Sequence, residues 1–171
     1  MEATGVAVVT GAGRGIGRAV AIELARRGFD VVATMRNPAD GADLPSEAGA
    51  GASLRVDRLD VNDPSTMSMP PGLRVLVNNA GVESDNLPLE VMPADAWRAI
   101  FETNVFGLVE TTKHAIPLMR DAGGGVICNV TSSSLLAQVP FLGAYRASKA
   151  AVSAIGESLH AEVAKFGIRV L

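Results

Sequence analysis

The spacing of hydrophobic residues changes from one stretch of the chain to the next. Val6 to Thr10 is a continuous apolar run closed by glycines, the pattern of a strand buried on both faces. From Ile16 to Arg27 the apolar positions Ile16, Ala19, Val20 and Leu24 recur at helical spacing, and Gly28 stops the run. Val31 to Met35 predicts a second strand. Residues 37–53, rich in Gly, Ala, Asp and Pro, predict a loop with at most one weak helical turn. Leu54 to Val61 alternates as a strand does, whereas residues 62–72 hold three prolines and two methionines with little helical pattern. Arg74 to Val77 predicts the fourth strand. A long helix is expected over Ala94 to Arg120, with Trp97, Ile100, Phe101, Val105 and Leu108 at helical spacing and Pro117 kinking its end. Gly125 to Thr131 predicts a fifth strand, Ala144 to Lys165 another helix, and Ile168 to Leu171 a sixth strand. This alternation implies one α/β domain over residues 1–171, a parallel sheet with helices on both faces.

Composition narrows the possible functions. The 171 residues are 48% hydrophobic and 19% charged, which suits a packed core. Fifteen basic and 18 acidic residues give a formal net charge of -3, with no basic patch for nucleic acid or a membrane surface. Cys128 stands alone, so no internal disulfide forms, which fits a reducing compartment. Met1-Glu2-Ala3-Thr4 lacks the basic start of a signal peptide, and no apolar stretch approaches a membrane span. A cytoplasmic protein without a metal site is expected. The chain stops within the sixth strand, at Gly167-Ile168-Arg169-Val170-Leu171, which reads as a truncation.

The first chemistry lies where the first strand meets its helix, at Thr10-Gly11-Ala12-Gly13-Arg14-Gly15-Ile16-Gly17. Glycines let the backbone approach a pyrophosphate, and the helix start offers unpaired N–H groups and a positive dipole end. The spacing is T-G-x-x-x-G-x-G rather than G-x-G-x-x-G, with Ile16 where the third glycine would fall. A plain glycine turn is the competing reading, and the strand–turn–helix context favours phosphate. Asp60-Val61, at the end of the third strand, presents a carboxylate for an adenine amino group, or alternatively an ordinary Asx turn. Asn78-Asn79-Ala80-Gly81 ends the fourth strand at the edge where such sheets bind ligands; Asn78 reads as structural, and Asn79, Ala80 and Gly81 as cofactor-facing. The second strand ends in Thr34-Met35-Arg36, with no carboxylate for ribose hydroxyls. Arg36, helped by Arg14, can pair with a 2′-phosphate, so NADP(H) is favoured over NAD(H); two solvated surface arginines are the alternative.

Tyr145 is the only tyrosine, and Lys149 follows it by four residues on one helical face. A phenol ionises near pH ~10, and an adjacent ammonium favours phenolate, so the pair can exchange protons. Alone, such a pair is more often a surface contact. Ser132, thirteen residues before Tyr145, supplies a strand-end hydroxyl that can polarise a substrate oxygen, although Ser133 and Ser134 serve equally on chemistry alone. Asn104, a poor helix former inside the long helix, suggests a polar network or a bound water near Lys149.

Taken together, Thr10-Gly-x-x-x-Gly-x-Gly17, Asp60, Asn78-Asn-Ala-Gly81, Asn104, Ser132 and Tyr145-x-x-x-Lys149 resemble the short-chain dehydrogenase/reductase family. The resemblance implies a Rossmann-type doubly wound sheet of order 3-2-1-4-5-6. It also implies hydride transfer between a nicotinamide cofactor and a carbonyl/alcohol pair. In that reading Tyr145 is the general acid/base, and Lys149 tunes it and holds the nicotinamide ribose. Ser132, rather than its neighbours, polarises the substrate, and Asn104 positions a proton-relay water. A homodimer or homotetramer is implied through the two long helices. The family also continues into a Pro-Gly loop, a substrate lid and a seventh strand, none of which is present here, and its crossover after Asp60 is usually longer and helical. A dinucleotide-binding sensor and an inactive truncated fragment are the alternatives.

Overall fold

A computed structural model describes residues 4–83 and 85–171; Met1, Glu2 and Ala3, part of the stretch read for a leader, lie outside the described residues. Six strands, β1 (Val6–Thr10), β2 (Asp30–Met35), β3 (Leu54–Arg58), β4 (Leu73–Asn78), β5 (Gly125–Asn129) and β6 (Ile168–Val170), form one sheet of order β3-β2-β1-β4-β5-β6. Every pairing is parallel. All strand C-termini therefore lie along one edge, and the order reverses between β1 and β4, opening the crevice where doubly wound sheets take ligands.

The two faces have separate cores. On one, α1 (Gly15–Arg26) and the short α2 (Leu44–Ala48) bury Ala21, Ile22, Ala25, Leu44 and Ala48 against Ala7, Val9, Val31, Ala33, Val75 and Val77. On the other, α4 (Gly107–Asp121) and α5 (Gly143–Val163) bring Ala115, Met119 and Val163 onto Val8, Val32, Leu76, Ile127 and Ile168. Successive residues of β1 and β2 enter opposite cores, so their sequence is apolar without alternation. β3 differs: Leu54 and Val56 pack inward while Arg55 and Asp57 are exposed. The crossover from β3 to β4 carries a 3-10 turn, Pro64–Thr66, and among the described residues no longer helix stands between the two strands. Met67 instead closes a small cluster with Leu59 and Val61.

Several boundaries differ from expectation, each for a local reason. β3 ends at Arg58 rather than Val61, because Asp60 Oδ1 accepts from the Asn62 N–H and turns the chain out of the sheet. β5 ends at Asn129 rather than Thr131, where Ser132 caps a 3-10 turn over Ser133–Leu136. Residues 37–53 are more helical than their composition suggests. Asn37 caps a 3-10 turn at Pro38–Gly41, and Arg18 of α1 pairs with Asp43 at 2.8 Å and with Glu47. Arg26 caps α2 by donating to the Ala48 and Glu47 carbonyls. The long helix is interrupted: α3 (Ala94–Phe101) passes into a π turn at Glu102–Phe106 before α4, which runs on through Pro117.

Candidate active site

The glycine turn leaves β1 and enters α1 at the switch point. Thr10 fastens it from beneath: its hydroxyl donates to the Val77 carbonyl (3.3 Å) and accepts from the Asn79 and Ala80 N–H groups (3.0 Å each). Asn79 Nδ2 returns hydrogen bonds to the carbonyls of Thr10 (2.9 Å) and Gly11 (3.0 Å). Both side chains thus hold β1, the turn and β4 together. Gly17 is buried beneath this lattice; a Cβ there would stand 2.3 Å from Asn79 Nδ2 and 2.6 Å from the Gly11 carbonyl. Gly15 is the opposite case, with φ +58° and nothing within 4 Å of a Cβ position. The open space at Gly15 meets the first turn of α1, whose leading N–H groups have no intrahelical acceptor. Ile16, 63% exposed, flanks it. That cradle fits a pyrophosphate.

The flanking candidates divide. Arg14 and Arg36 are exposed, and neither makes an ion pair among the described residues. Asp60 forms the Asx turn, and Val61 is buried beside Met67, so only its backbone can face a ligand. One residue was missed. The Pro38–Gly41 turn brings Asp40 back beside the glycine turn, its Cβ 3.5 Å from where a Gly13 Cβ would stand, and Asn37 Nδ2 holds its carboxylate at 2.9 Å. Asp40 lies beyond the end of β2, and the Asn37-Pro38 start of a capped turn is the signal in the sequence that the chain bends back here.

On the other side of the crevice, Lys149 is 6% exposed and its Nζ donates to the Val130 carbonyl at 2.7 Å. It lies 5.9 Å from the Tyr145 ring centroid. Burial pushes the Lys149 ammonium below the ordinary lysine range. A Cβ on Gly81 would lie 3.2 Å from Asn104 Oδ1 and 3.7 Å from Lys149 Nζ, so the end of β4, the π turn and α5 converge. Asn104, 1% exposed, accepts from the Val82 N–H (2.8 Å) and donates to the Val82 carbonyl (2.9 Å) and Ser148 Oγ (3.1 Å). Ser148 Oγ in turn donates to the Tyr145 carbonyl at 2.7 Å, a link that sequence reading did not single out. Asn104 Nδ2 is thus fully engaged, and the π turn on which it lies departs from the i→i−4 ladder of α3 and α4. Ser132 Oγ accepts from the Ser134 N–H (3.1 Å) and donates to Ser134 Oγ (2.9 Å), so Ser134 orients the hydroxyl expected to polarise a substrate.

Among the described residues no group of three or more His, Cys, Asp or Glu side chains is arranged to hold a metal. No helix among them is long and apolar enough to cross a membrane.

A parallel sheet of this order, with a glycine turn at its switch point and a tyrosine–lysine pair across the crevice, defines a Rossmann-type α/β protein. The short chain dehydrogenase family model matches residues 5–171, and the chain belongs to that family. It is 39% identical over 173 residues to the uncharacterized oxidoreductase YusZ of Bacillus subtilis (strain 168), covering 95% of this chain and 61% of that protein. The chain thus spans about three fifths of that relative's length. A metagenomic short-chain oxidoreductase solved in complex with NADP superimposes with a TM-score of 0.89 at 30% identity, covering 97% of this chain and 79% of that one. A 7α-hydroxysteroid dehydrogenase complexed with NADH and 7-oxo glycochenodeoxycholic acid gives a TM-score of 0.89 at 29% identity, covering 97% and 68%.

Proposed function

We propose that the chain binds NADP(H) along the C-terminal edge of its sheet and interconverts a carbonyl and an alcohol, with Tyr145 moving the proton. The observation that carries this reading is Lys149, a buried ammonium anchored to Val130 and set beside the only tyrosine, across the crevice from an open glycine cradle. When bound, the nicotinamide supplies or accepts the hydride. The residues do the rest. Tyr145 gives its phenolic proton to the substrate oxygen in reduction and takes it back in oxidation. Lys149 favours the phenolate that remains and donates to the nicotinamide ribose. The Ser132 hydroxyl turns from Ser134 to the substrate oxygen, where charge develops. The Asn104 carbonyl holds a water that returns the proton toward Lys149.

On the adenosine side, Gly11, Gly15, Ile16 and Gly17 form the pyrophosphate turn, with Ala80 and Gly81 opposite. Asp60 and the Val61 backbone face the adenine. Arg36 and Arg14 pair with the 2′-phosphate. Asp40 favours a second reading, NAD(H), in which its carboxylate accepts from a ribose hydroxyl. The choice is tested by melting the protein with NADPH or NADH at equal concentration, alone and as Arg36→Gln. NADPH is expected to stabilise more, and Arg36→Gln to weaken NADPH roughly 10-fold or more while sparing NADH. Equal shifts by the two cofactors favour the Asp40 reading.

The substrate is a ketone, aldehyde or alcohol of hydrophobic character. Phe141 and Leu136 support this, standing 53% and 88% exposed on the loop between Ser132 and Tyr145. The 7-oxo bile acid bound by the 7α-hydroxysteroid enzyme has that character. Trp97, Phe101 and the exposed Phe106 give α3 and the π turn an apolar face suited to pairing in a homodimer or homotetramer. The lone Cys128, with no partner for an internal disulfide, suits a reducing cytoplasm.

A further inference from the structure

We infer that Arg146 is a positioning residue that sets the distance between the Ser132 hydroxyl and Tyr145; the inference rests on the acid/base reading above. Arg146 directly follows Tyr145 on α5, and its Nε donates to the Ser134 carbonyl at 2.8 Å. The Ser134 N–H is meanwhile bound to Ser132 Oγ at 3.1 Å. Ser134 is therefore held from both sides of its backbone, by the serine on one and by the neighbour of Tyr145 on the other. The two proton-handling groups are joined by one short path through Arg146 and Ser134.

The helix is also tied to the chain two residues before Ser132, where Lys149 Nζ donates to the Val130 carbonyl, but that bond does not reach the turn beyond Ser132. Within the turn the Leu135 N–H also donates to the Ser132 carbonyl at 3.2 Å, a bond that shapes the turn without tying it to α5. Leu136 is 88% exposed, so apolar packing does not seat the end of the turn. The return to α5 passes through Phe141, the one non-glycine among the described residues at positive φ, +64°.

Local physics argues against a guanidinium here for stability alone. Arg146 lies in the first turn of α5, which has no acidic residue, and a cation at a helix N-terminus opposes the dipole. A carbonyl on a half-exposed turn can be satisfied by water at little cost. What water cannot supply is a fixed length between α5 and the turn. Small displacements of a polarising group cost rate steeply, and a donor on α5 that reaches the Ser134 carbonyl keeps that length.

The test compares Arg146→Met and Arg146→Lys with the unsubstituted chain. The readouts are NADPH binding, steady-state reduction of cyclohexanone, acetophenone and α-tetralone, and amide exchange at Ser134 and Leu135. For Arg146→Met the expected result is kcat lower by roughly 10- to 100-fold, with NADPH affinity and KM unchanged. Exchange at the two amides should rise roughly 10-fold or more. Lysine, which can still donate to the carbonyl, should recover most of kcat. The pH midpoint of kcat/KM should stay in place, because the Tyr145–Lys149 pair is untouched. An unchanged kcat or unchanged exchange overturns the inference, and so does failure of lysine to rescue. A displaced pH midpoint overturns it in favour of an electrostatic role. No turnover of any probe by the unsubstituted chain counts against the acid/base reading itself; the exchange result then still decides whether Arg146 holds the turn.

Discussion

A lysine ammonium at 6% exposure is costly, and its environment shows how the cost is met. The Val130 carbonyl takes one of its protons, and no carboxylate pairs with it among the described residues. The group therefore keeps its charge at a penalty, and burial lowers its folded-state pKa below the 10.5 of a free lysine. Between those two values the unfolded chain binds more protons than the folded one, so stability rises with pH through that window. Below both values the lysine is charged in both states and the penalty is felt in full. The stability of the unsubstituted chain relative to Lys149→Met should therefore grow as pH rises toward 10.5, because groups common to both proteins largely cancel. Urea denaturation of the pair across that range measures it, and a difference flat or falling with pH contradicts the assignment. Tyr145, Lys149, Ser132 and Asn104 stand out in the sequence through the family resemblance, because spacing alone leaves Tyr145 and Lys149 open to reading as a surface pair and Ser133 and Ser134 equal to Ser132. Asn104 was legible as an anomaly, but its partners were not, since Val82 and Ser148 meet it only through the fold.

The glycine turn separates two reasons for having no side chain. At Gly17 a methyl would strike the Gly11 carbonyl and Asn79, whose amide holds the turn. Gly17→Ala should therefore cost roughly 1–3 kcal/mol of stability, as overpacking does. At Gly15 the space is open but φ is +58°. Gly15→Ala should cost only about 1–2 kcal/mol for the left-handed backbone, and its methyl would project into the proposed pyrophosphate cradle. Its distinguishing loss is NADPH affinity, measured by titration at a temperature where both variants are folded. Equal loss of binding by Gly17→Ala with no loss of stability would reverse the assignment. Sequence patterns showed that a tight turn stands here, but which glycine faces protein and which faces solvent depends on β4. The π turn was illegible for a related reason. Asn104 marks Glu102–Phe106 only as an anomaly within a helical pattern, and the contact beside it, Gly107 seated where an added Cβ would lie 2.8 Å from the Val61 carbonyl, is made across the fold.

At the scale of the whole molecule, strand order and both cores follow from the alternation of apolar runs and helical stripes. The β3 pattern carries a further message. Its alternation, with Arg55 and Asp57 outward, matches a crossover reduced to a 3-10 turn, so the strand was written for a face left to solvent. What periodicity could not show is the return of distant loops to the crevice: Asp40 to the glycine turn, and Arg146 to the turn after β5. The parallel sheet brings these pieces together because every strand ends on the same edge. The central claim, that this edge transfers a hydride with Tyr145 moving the proton, meets its most direct test in the oxidation of NADPH by a hydrophobic cyclic ketone. The unsubstituted chain and Tyr145→Phe are compared, with NADPH affinity measured on the same samples. The expected result is equal NADPH binding and a rate lower by roughly 10²–10⁴-fold in Tyr145→Phe. A phenylalanine variant that reduces the ketone as fast as the unsubstituted chain would contradict the account.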